Sequence, residues 1–323
     1  MDYINLGKTG LKVSRLVLGC MTFGSSNWAP WVLGAEASRP IIDKALDLGI
    51  NFFDLADVYS LGESETVVAE ALKSVPRHKL VLGTKLYNAM SNDPNDRGLS
   101  RKHVFEAVDA SLKRLGTDYI DLYQLHRFDY DTPLEETLDA LNDVVRAGKV
   151  RYLGASSMHA WQFMKAIGIQ RANGWAPFVS MQNHYNLMYR EEEREMLPLC
   201  RSEGIGVIPW SPLARGRLAG RGGEATTRSQ TDKTANALYD ATLEQDEAVI
   251  AAVRTVAERH GRPMAQIAYA WVASRPGITA PIVGISKLHQ FDDALAALEV
   301  QLSDEDVALM EAPYRPKPVA GHI

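Results

Sequence analysis

The feature that most constrains the fold is an alternation along the whole chain. Short apolar runs rich in β-branched residues are each followed by a longer segment with helical periodicity. Such an alternation predicts parallel strands joined by crossover helices. Eight strands are predicted, at residues 15–21, 51–56, 80–85, 120–126, 151–156, 178–183, 206–210 and 280–284.

Two of the intervening helices have readable ends. Ser100 can cap a helix whose apolar residues share one face and which ends near Gly116. Pro133 suits the first turn of the next helix, and Gly148 suits its C-terminal cap. A further strand follows this glycine immediately, which repeats the strand–helix unit.

Eight units in 323 residues match a closed (β/α)₈ barrel. The alternative is an open doubly wound sheet, but no Gly-x-Gly-x-x-Gly directly follows a predicted strand. We therefore expect an α/β chain folded as one TIM-barrel domain over residues 1–323. The expected additions are an N-terminal β-hairpin, and a long loop with an extra helix between strands seven and eight.

The long loop is predicted from Arg215 to about Thr234, and it is rich in glycine near its start. A glycine-rich, arginine-bearing loop on the catalytic face of a barrel indicates a mobile cover. A functionless insertion is the alternative. The acidic run at 189–195 is read as the solvated start of a helix, and the proline-rich tail at 312–318 cannot be helical.

Composition excludes several kinds of partner. With 35 basic and 40 acidic residues the net charge is −5, so no general attraction to nucleic acid or to an acidic membrane is expected. Cys20 and Cys200 lack the spacing of a metal site or a disulfide framework, which suits a reducing compartment. No signal-peptide pattern and no apolar span of about 20 residues occurs, so we expect a cytoplasmic protein without a membrane span.

Polar residues stand at the carboxyl ends of three consecutive predicted strands. Asp54, Lys85 and His126 each end an apolar run, and Tyr59 lies five positions beyond Asp54. Because the carboxyl ends of parallel strands meet at one mouth of a barrel, these side chains are expected to converge there. Taken singly, each has an ordinary explanation as a rim charge, a hydrogen-bonded histidine or a packed tyrosine. Their joint placement indicates a site.

The four residue types suit the reduction of a carbonyl group, which needs a hydride on carbon and a proton on oxygen. A free phenol with a pKa near 10 is a reluctant acid, but a nearby ammonium stabilises the tyrosinate. Lys85 can supply that ammonium to Tyr59. Asp54 can hold Lys85 in place, and His126 can donate a hydrogen bond to the substrate oxygen.

The segments that contain these residues resemble the signature segments of the aldo-keto reductase superfamily. The resemblance extends over essentially the whole chain. Within the superfamily, the sequence is similar to the bacterial YajO-type reductases and, more distantly, to the β subunits of voltage-gated potassium channels. The matching segments are 7–14 (GKTGLKVS), 54–59 (DLADVY), 82–85 (LGTK), 123–126 (YQLH), 154–157 (GASS), 182–186 (QNHYN), 210–213 (WSPL) and 284–287 (GISK).

The resemblance implies roles for individual residues. Asp54, Tyr59, Lys85 and His126 would form the catalytic tetrad, with Tyr59 as the general acid. A nicotinamide cofactor would contact Met21, Asp54, Ser156, Ser157, Gln182, Trp210, Ser211, Pro212, Leu213, Arg215, Gly216, Arg221, Gly284, Ser286, Lys287, Gln290 and Asp293. Within this set, Trp210 would stack on the nicotinamide, Arg215 would lie at the pyrophosphate and Lys287 near the 2′-phosphate.

NADPH is expected rather than NADH, because a 2′-phosphate needs a cation and no strand-end acid is placed to bind a 2′-hydroxyl. Two positions depart from the family pattern. Leu55 stands where the family commonly has threonine, and Ala294 stands where an asparagine often contacts adenine. The second departure puts the strength of adenine binding in question.

The substrate is expected to be a small carbonyl compound, and the oligomeric state does not follow from the sequence. Candidates for an apolar wall around the carbonyl are Phe23, Trp28, Trp31, Phe128 and Tyr185. Two rival functions stay open. One is a regulatory subunit of the same fold that senses redox state. The complete tetrad argues against it, as does the expectation that no extension precedes the barrel. The other is a lyase or aldolase in which Lys85 forms a Schiff base.

Overall fold

The computed structural model describes residues 1–220 and 227–322. Eight parallel strands lie side by side in the order β10-β3-β4-β5-β6-β7-β8-β9. Their bounds are β3 (Val17–Gly19), β4 (Phe52–Asp54), β5 (Val81–Leu86), β6 (Ile120–Leu125), β7 (Val150–Ser156), β8 (Phe178–Gln182), β9 (Gly206–Val207) and β10 (Ile282–Val283). The eight predicted strands are confirmed.

The sheet closes on itself between its two outermost strands. The backbone N–H of Thr279 donates to Val207 at 2.8 Å, and that of Ile282 donates to Pro209 at 2.9 Å. These bonds connect the start of β10 with the end of β9, so the predicted (β/α)₈ barrel is confirmed.

A predicted N-terminal hairpin precedes the barrel. Strand β1 (Tyr3–Asn5) pairs antiparallel with β2 (Lys12–Ser14). Leu6 and Val13 are buried in one cluster with side chains inside the barrel, so the hairpin covers the end opposite the strand carboxyl ends. Gly7 has a φ of +57°, and a Cβ there would lie 2.6 Å from the backbone N of Gly206, so this contact needs glycine.

Helices surround the sheet and bury a larger apolar cluster against it. Their bounds are α1 (Ala35–Asp47), α2 (Glu63–Leu72), α3 (Arg101–Leu115), α4 (Leu134–Arg146), α5 (Ala160–Asn173), α6 (Met196–Glu203), α7 (Thr227–Thr231), α8 (Lys233–Tyr239), α9 (Leu243–His260), α10 (Met264–Ser274), α11 (Gln290–Ala297) and α12 (Asp304–Glu311). None of the helices in the described residues is long and apolar enough to cross a membrane.

The predicted helix ends agree with the structure. The Ser100 hydroxyl accepts from the backbone N–H of His103, and Gly116 ends α3 in the left-handed conformation. Pro133 immediately precedes α4, and Gly148 follows it with a φ of +75°. The local capping rules were sufficient at these positions because caps depend on residues close in sequence.

The described residues between β9 and β10 form more helices than the predicted loop and single extra helix. A 3-10 helix covers Ala214–Ala219, and α7, α8, a 3-10 helix at Asp240–Thr242, α9 and α10 follow. Arg221 lies outside the described residues. Part of this order comes from Asp232, whose carboxylate accepts from the backbone N–H of Ala235 and pairs with two arginines. We call residues 214–281 the insertion.

The acidic run at 189–195 is not a solvated helix start, and that prediction was wrong. A 3-10 helix at Glu191–Glu193 precedes α6, and both Glu191 and Glu192 are buried. The C-terminal tail folds back over them: Tyr314 donates its hydroxyl to Glu191 at 2.6 Å, and His322 Nε2 lies 3.1 Å from Glu192. The tail is not helical, as its prolines predicted.

Candidate active site

Three of the predicted catalytic residues lie at one end of the barrel because their strands are parallel and in register. Asp54 ends β4, Lys85 lies in β5, and His126 directly follows β6. Tyr59 begins a 3-10 helix at Tyr59–Gly62 that turns back over this end. The structure therefore brings together the four residues that the sequence placed far apart.

The ammonium of Lys85 is fully buried and all three of its donors are used. Nζ donates to Asp54 Oδ2 at 2.9 Å, to the Leu55 carbonyl at 2.7 Å and to the Tyr59 hydroxyl at 3.2 Å. Because Lys85 donates to the phenol oxygen, the phenolic hydrogen of Tyr59 is left to point elsewhere.

The Asp54 carboxylate has further donors that hold it in position. Gln182 Nε2 donates to Oδ1 at 2.8 Å, and Gln124 Nε2 lies 3.4 Å from the same oxygen. A buried charge needs such a complete set of partners to avoid a large desolvation cost. Gln182 thus supports the tetrad in addition to its predicted place at the cofactor.

Charge and burial determine which protons these groups hold. Burial by itself lowers the pKa of Lys85, but Asp54 and Tyr59 outweigh it and raise that pKa above its ordinary value. Burial raises the pKa of Tyr59, and Lys85 offsets part of this rise. At neutral pH the pair is therefore an ammonium beside a protonated phenol.

His126 is neutral, with its ring oriented by a neighbour. Burial, and then Arg127 and Lys85, hold the pKa of His126 well below its usual range. Asn88 Nδ2 lies 3.0 Å from His126 Nδ1. Since this amide nitrogen can only donate, Nδ1 accepts, and the ring hydrogen belongs on Nε2. The His126 ring stands edge-on to that of Tyr59, with centroids 6.0 Å apart.

A cavity of about 900 Å³ opens next to Tyr59 and His126. Its size is in the range of sites for small molecules and cofactors. Among the predicted cofactor residues, those that line it are Met21, Asp54, Ser156, Gln182, Trp210, Ser211, Pro212, Leu213, Arg215, Gly216, Gly284, Ser286, Lys287 and Gln290. Lys85 lies behind this wall, beneath Tyr59.

Two other predicted contacts lie away from the cavity wall. Ser157 is fully buried and accepts a hydrogen bond from Trp210 Nε1 at 3.1 Å, so it orients the indole. The Asp293 carboxylate accepts from Gln266 Nε2 at 3.0 Å.

The amide oxygen of Gln290 accepts from the backbone N–H groups of Ser286 and Lys287, so it shapes the loop before α11.

Trp210 presents an aromatic surface supported from behind. His184 stacks against it with centroids 4.2 Å apart and an interplanar angle of 9°, and Tyr189 stacks on the other face of His184 at 4.3 Å. Trp210 also lines the cavity. A flat ring in the cavity, such as a nicotinamide, fits this surface.

Positive charge collects where the insertion borders the cavity. Arg215 and Arg228 share the Asp232 carboxylate, at 2.5 and 3.1 Å. Nε of Arg215 is buried and has no partner among the described residues. Two cations on one anion leave a net positive charge, which fits the phosphates of a dinucleotide.

Sequence reasoning missed several cavity residues: Asn88, Arg127 and Arg228 line it, and Gln124 supports Asp54 from behind. Their positions just after β5 and β6 are a signal for Asn88 and Arg127, whereas Arg228 had none. Of the five aromatic candidates, Trp28 and Trp31 line the cavity. Tyr185 packs on Trp271, Phe23 is fully buried, and Phe128 packs on Tyr130.

No group of three or more His, Cys, Asp or Glu side chains within residues 1–220 and 227–322 is placed to hold a metal ion. A protonated phenol and a neutral imidazole N–H face the cavity, which suits proton donation to an oxygen.

Comparison with known proteins gives one consistent result. The model of the aldo/keto reductase family matches residues 15–315. The versiconal hemiacetal acetate reductase of Aspergillus parasiticus is 46% identical, over 99% of this chain and 98% of that protein. An aldo-keto reductase of Fusarium vanettenii is 45% identical, over 100% and 93%. A protein named as an aryl-alcohol dehydrogenase of Schizosaccharomyces pombe is 44% identical, over 98% and 97%.

Proposed function

The chain belongs to the aldo/keto reductase family, and on that premise we propose that it is an NADPH-dependent reductase of small aldehydes or ketones, with Tyr59 as the general acid. The family and the names of the relatives make it an oxidoreductase acting on carbonyl or alcohol groups. The observation that supports these roles is that Lys85 Nζ contacts both Asp54 and Tyr59 beside the cavity.

Tyr59 would protonate the carbonyl oxygen. Its phenolic hydrogen is not used by Lys85, so it can point at an oxygen in the cavity. As the proton leaves, Lys85 at 3.2 Å from the phenol oxygen stabilises the developing tyrosinate. Asp54 keeps Lys85 charged and in position throughout.

His126 would orient the same oxygen. With Nδ1 bonded to Asn88, its Nε2–H is a neutral donor next to Tyr59. A neutral donor polarises the carbonyl without competing with Tyr59 as the acid. Two donors converging on one oxygen position the carbonyl carbon for reduction.

Bound NADPH supplies the hydride. Trp210, Ser156 and Gln182 would hold the nicotinamide, and Arg215 with Arg228 would hold the phosphates. The preference for NADPH over NADH is supported by Lys287, a cation on the cavity wall at the place proposed for the 2′-phosphate. Arg221 and Asp293 stay predictions.

The relatives named above are fungal, so a closer likeness to YajO-type reductases or channel subunits stays a prediction. The same holds for the single-domain boundaries, for the cytoplasmic location and for the redox-sensing alternative. What the relatives' names contribute to the proposal is an aromatic or hemiacetal-derived carbonyl as substrate.

The proposal is tested with a panel of aldehydes and ketones, following the nicotinamide absorbance with NADPH and, separately, NADH. We expect reduction of at least one aryl aldehyde, with a lower KM for NADPH than for NADH. A KM for NADH that is equal to or lower than that for NADPH contradicts the expected preference for NADPH. Borohydride trapping of the enzyme with a carbonyl substrate is the control for the aldolase alternative: a covalent adduct on Lys85 contradicts the reductase mechanism.

A further inference from the structure

Arg127 is a cation on the cavity wall that forms no ion pair with any described residue. It directly follows His126 at the end of β6, is partly buried and lines the same cavity as Tyr59. In the part of the chain that the structure describes, no carboxylate forms an ion pair with it. Its one hydrogen bond there runs from Nη1 to the backbone carbonyl of His126.

The acid nearest to Arg127 in sequence is already engaged elsewhere. The Asp129 carboxylate accepts from the backbone N–H of Leu99 at 2.7 Å and from the Thr132 hydroxyl at 2.8 Å. The backbone N–H of Asp131 donates to its other oxygen at 2.9 Å. Asp129 is therefore turned toward its own loop.

Two further guanidinium groups that the structure describes on the cavity wall differ in this respect. Arg215 and Arg228 both pair with Asp232. They belong to the insertion, whereas Arg127 stands at the end of β6 beside the residues that would meet the carbonyl. Arg127 thus lies on the substrate side of the cavity.

A guanidinium has five N–H donors and stays charged at all relevant pH values. Burial without a counter-ion is unfavourable for such a group, and burial lowers the pKa of Arg127 below its ordinary value. A carboxylate that entered the cavity would supply the missing charge and accept two parallel hydrogen bonds.

We propose that Arg127 binds a carboxylate of the substrate, so that the enzyme prefers aldehydes or ketones that carry an anionic group. This inference rests on the proposed reductase function. Arg127 is then a specificity-determining residue, and its contribution is substrate binding rather than proton transfer.

The test uses six aldehydes in three matched pairs: 2-, 3- and 4-carboxybenzaldehyde and the methyl ester of each. Acid and ester have the same reacting group, and they differ mainly in charge. We expect kcat/KM for at least one acid to exceed that of its ester roughly 10- to 100-fold, the range of a charge-assisted hydrogen bond. The difference should lie in KM, because the contact exists before and during reduction.

Two variants locate the effect at Arg127. Arg127→Met removes the charge at similar length and should bring the acid-to-ester ratio close to one, whereas Arg127→Lys should retain most of the preference. Arg254→Met is the matched control, since Arg254 is exposed on α9, away from the cavity. If Arg127→Met does not fold, Arg127→Gln replaces it as the uncharged variant, and equal rates on acids and esters in the wild type still overturn the proposal.

The outcomes separate this inference from the function on which it rests. If the wild type reduces none of the six aldehydes, the wider panel decides: no reduction of any aldehyde or ketone overturns the reductase assignment, whereas reduction of other carbonyl compounds overturns only the anion preference. Equal rates on acids and esters in the wild type overturn only the anion preference. A loss of kcat on acids and esters alike in Arg127→Met also overturns it, since Arg127 would then act through Tyr59.

Discussion

The two sides of the cavity hold their charges in opposite ways. On the tetrad side, Lys85 is fully buried at strand ends, and every donor of its ammonium is paired. On the insertion side, Arg215 and Arg228 share a single carboxylate, and Arg215 keeps an unpaired buried nitrogen among the described residues. The Lys85 ammonium and its partners are electrostatically complete, whereas the pair of Arg215 and Arg228 lacks negative charge.

This difference separates chemistry from binding. A group whose partners are all internal is preorganised and has nothing to gain from an incoming ion. A cluster with surplus positive charge gains when phosphates arrive. Changes to the tetrad residues themselves should therefore act on kcat, and changes to Arg215 or Arg228 should act on cofactor affinity.

The strongest test of this separation is Tyr59→Phe. Loss of the phenolic proton should lower kcat by roughly 10²–10⁴-fold, the usual contribution of general acid catalysis. The dissociation constant of NADPH, measured by fluorescence titration, should hardly change. Tyr87→Phe, at a partly buried tyrosine just after β5, is the matched control and should behave as wild type. Full activity in Tyr59→Phe rules out its role as the acid.

The insertion side is tested next, with Arg215→Met. We expect the NADPH dissociation constant to rise roughly 10- to 100-fold, with kcat at saturation nearly unchanged. Asp232→Asn should have the opposite effect and lower the NADPH dissociation constant by a few-fold, because it releases both arginines from their anion. Arg217→Met and Asp240→Asn, a pair at the outer surface of the insertion, serve as matched controls. A fall in kcat without a change in affinity would remove the distinction between the two sides.

A third test concerns the buried histidines, namely His126 beside Tyr59 and His184 behind Trp210. Burial holds the pKa values of His126 and His184 well below the ordinary 6.5. The unfolded chain therefore takes up a proton on each as pH falls below about 6.5, while the folded protein does not, so acidification favours unfolding. Between pH 7.5 and 5.5 each histidine should cost about 1.4 kcal/mol of stability.

The measurement is the urea unfolding free energy at the two pH values. On acidification, the unfolding free energy of His184→Gln should fall by about 1.4 kcal/mol less than that of wild type. The fall for His78→Gln, at an exposed histidine, should equal that of wild type. Asp57, whose pKa burial raises to about 8, titrates in all these proteins and cancels in the comparison. An unchanged pH dependence in His184→Gln would mean that His184 is charged in the folded state.

The smallest expected effect concerns the ring orientation of His126. Asn88→Ala removes the donor to Nδ1 and should lower kcat/KM by about 2- to 10-fold, the range of one hydrogen bond. Asn88→Asp should favour a proton on Nδ1 and leave Nε2 as an acceptor, so its activity should recover toward acidic pH where the ring gains a second proton. The pH profile of kcat/KM distinguishes the two variants. Identical profiles would mean that Asn88 only fills space.

Much of the fold followed from local patterns. The eight strands and the caps at Ser100 and Gly116 depend on periodicity and on neighbours within a few residues. The same holds for the tetrad, because a polar residue at the end of an apolar run is visible in sequence and parallel strands end at one mouth. The family resemblance added many of the residues that line the cavity.

The errors arose where distant partners decide. Glu191 and Glu192 read as a solvated helix start, but the tail more than 120 positions later buries them. The sequence predicts a loop around Asp232, but two short helices flank this residue in the structure. Its carboxylate pairs with Arg215 and Arg228.

By itself, the sequence determined the alternation that makes a barrel and the residue types at the strand ends that make carbonyl chemistry possible, because both are properties of short segments. Only the tertiary structure decided which charges are paired. Lys85 is paired with Asp54, Arg215 with Asp232, and Arg127 with no acid among the described residues. Pairing depends on distances between side chains brought together by folding, and no pattern along the chain contains those distances.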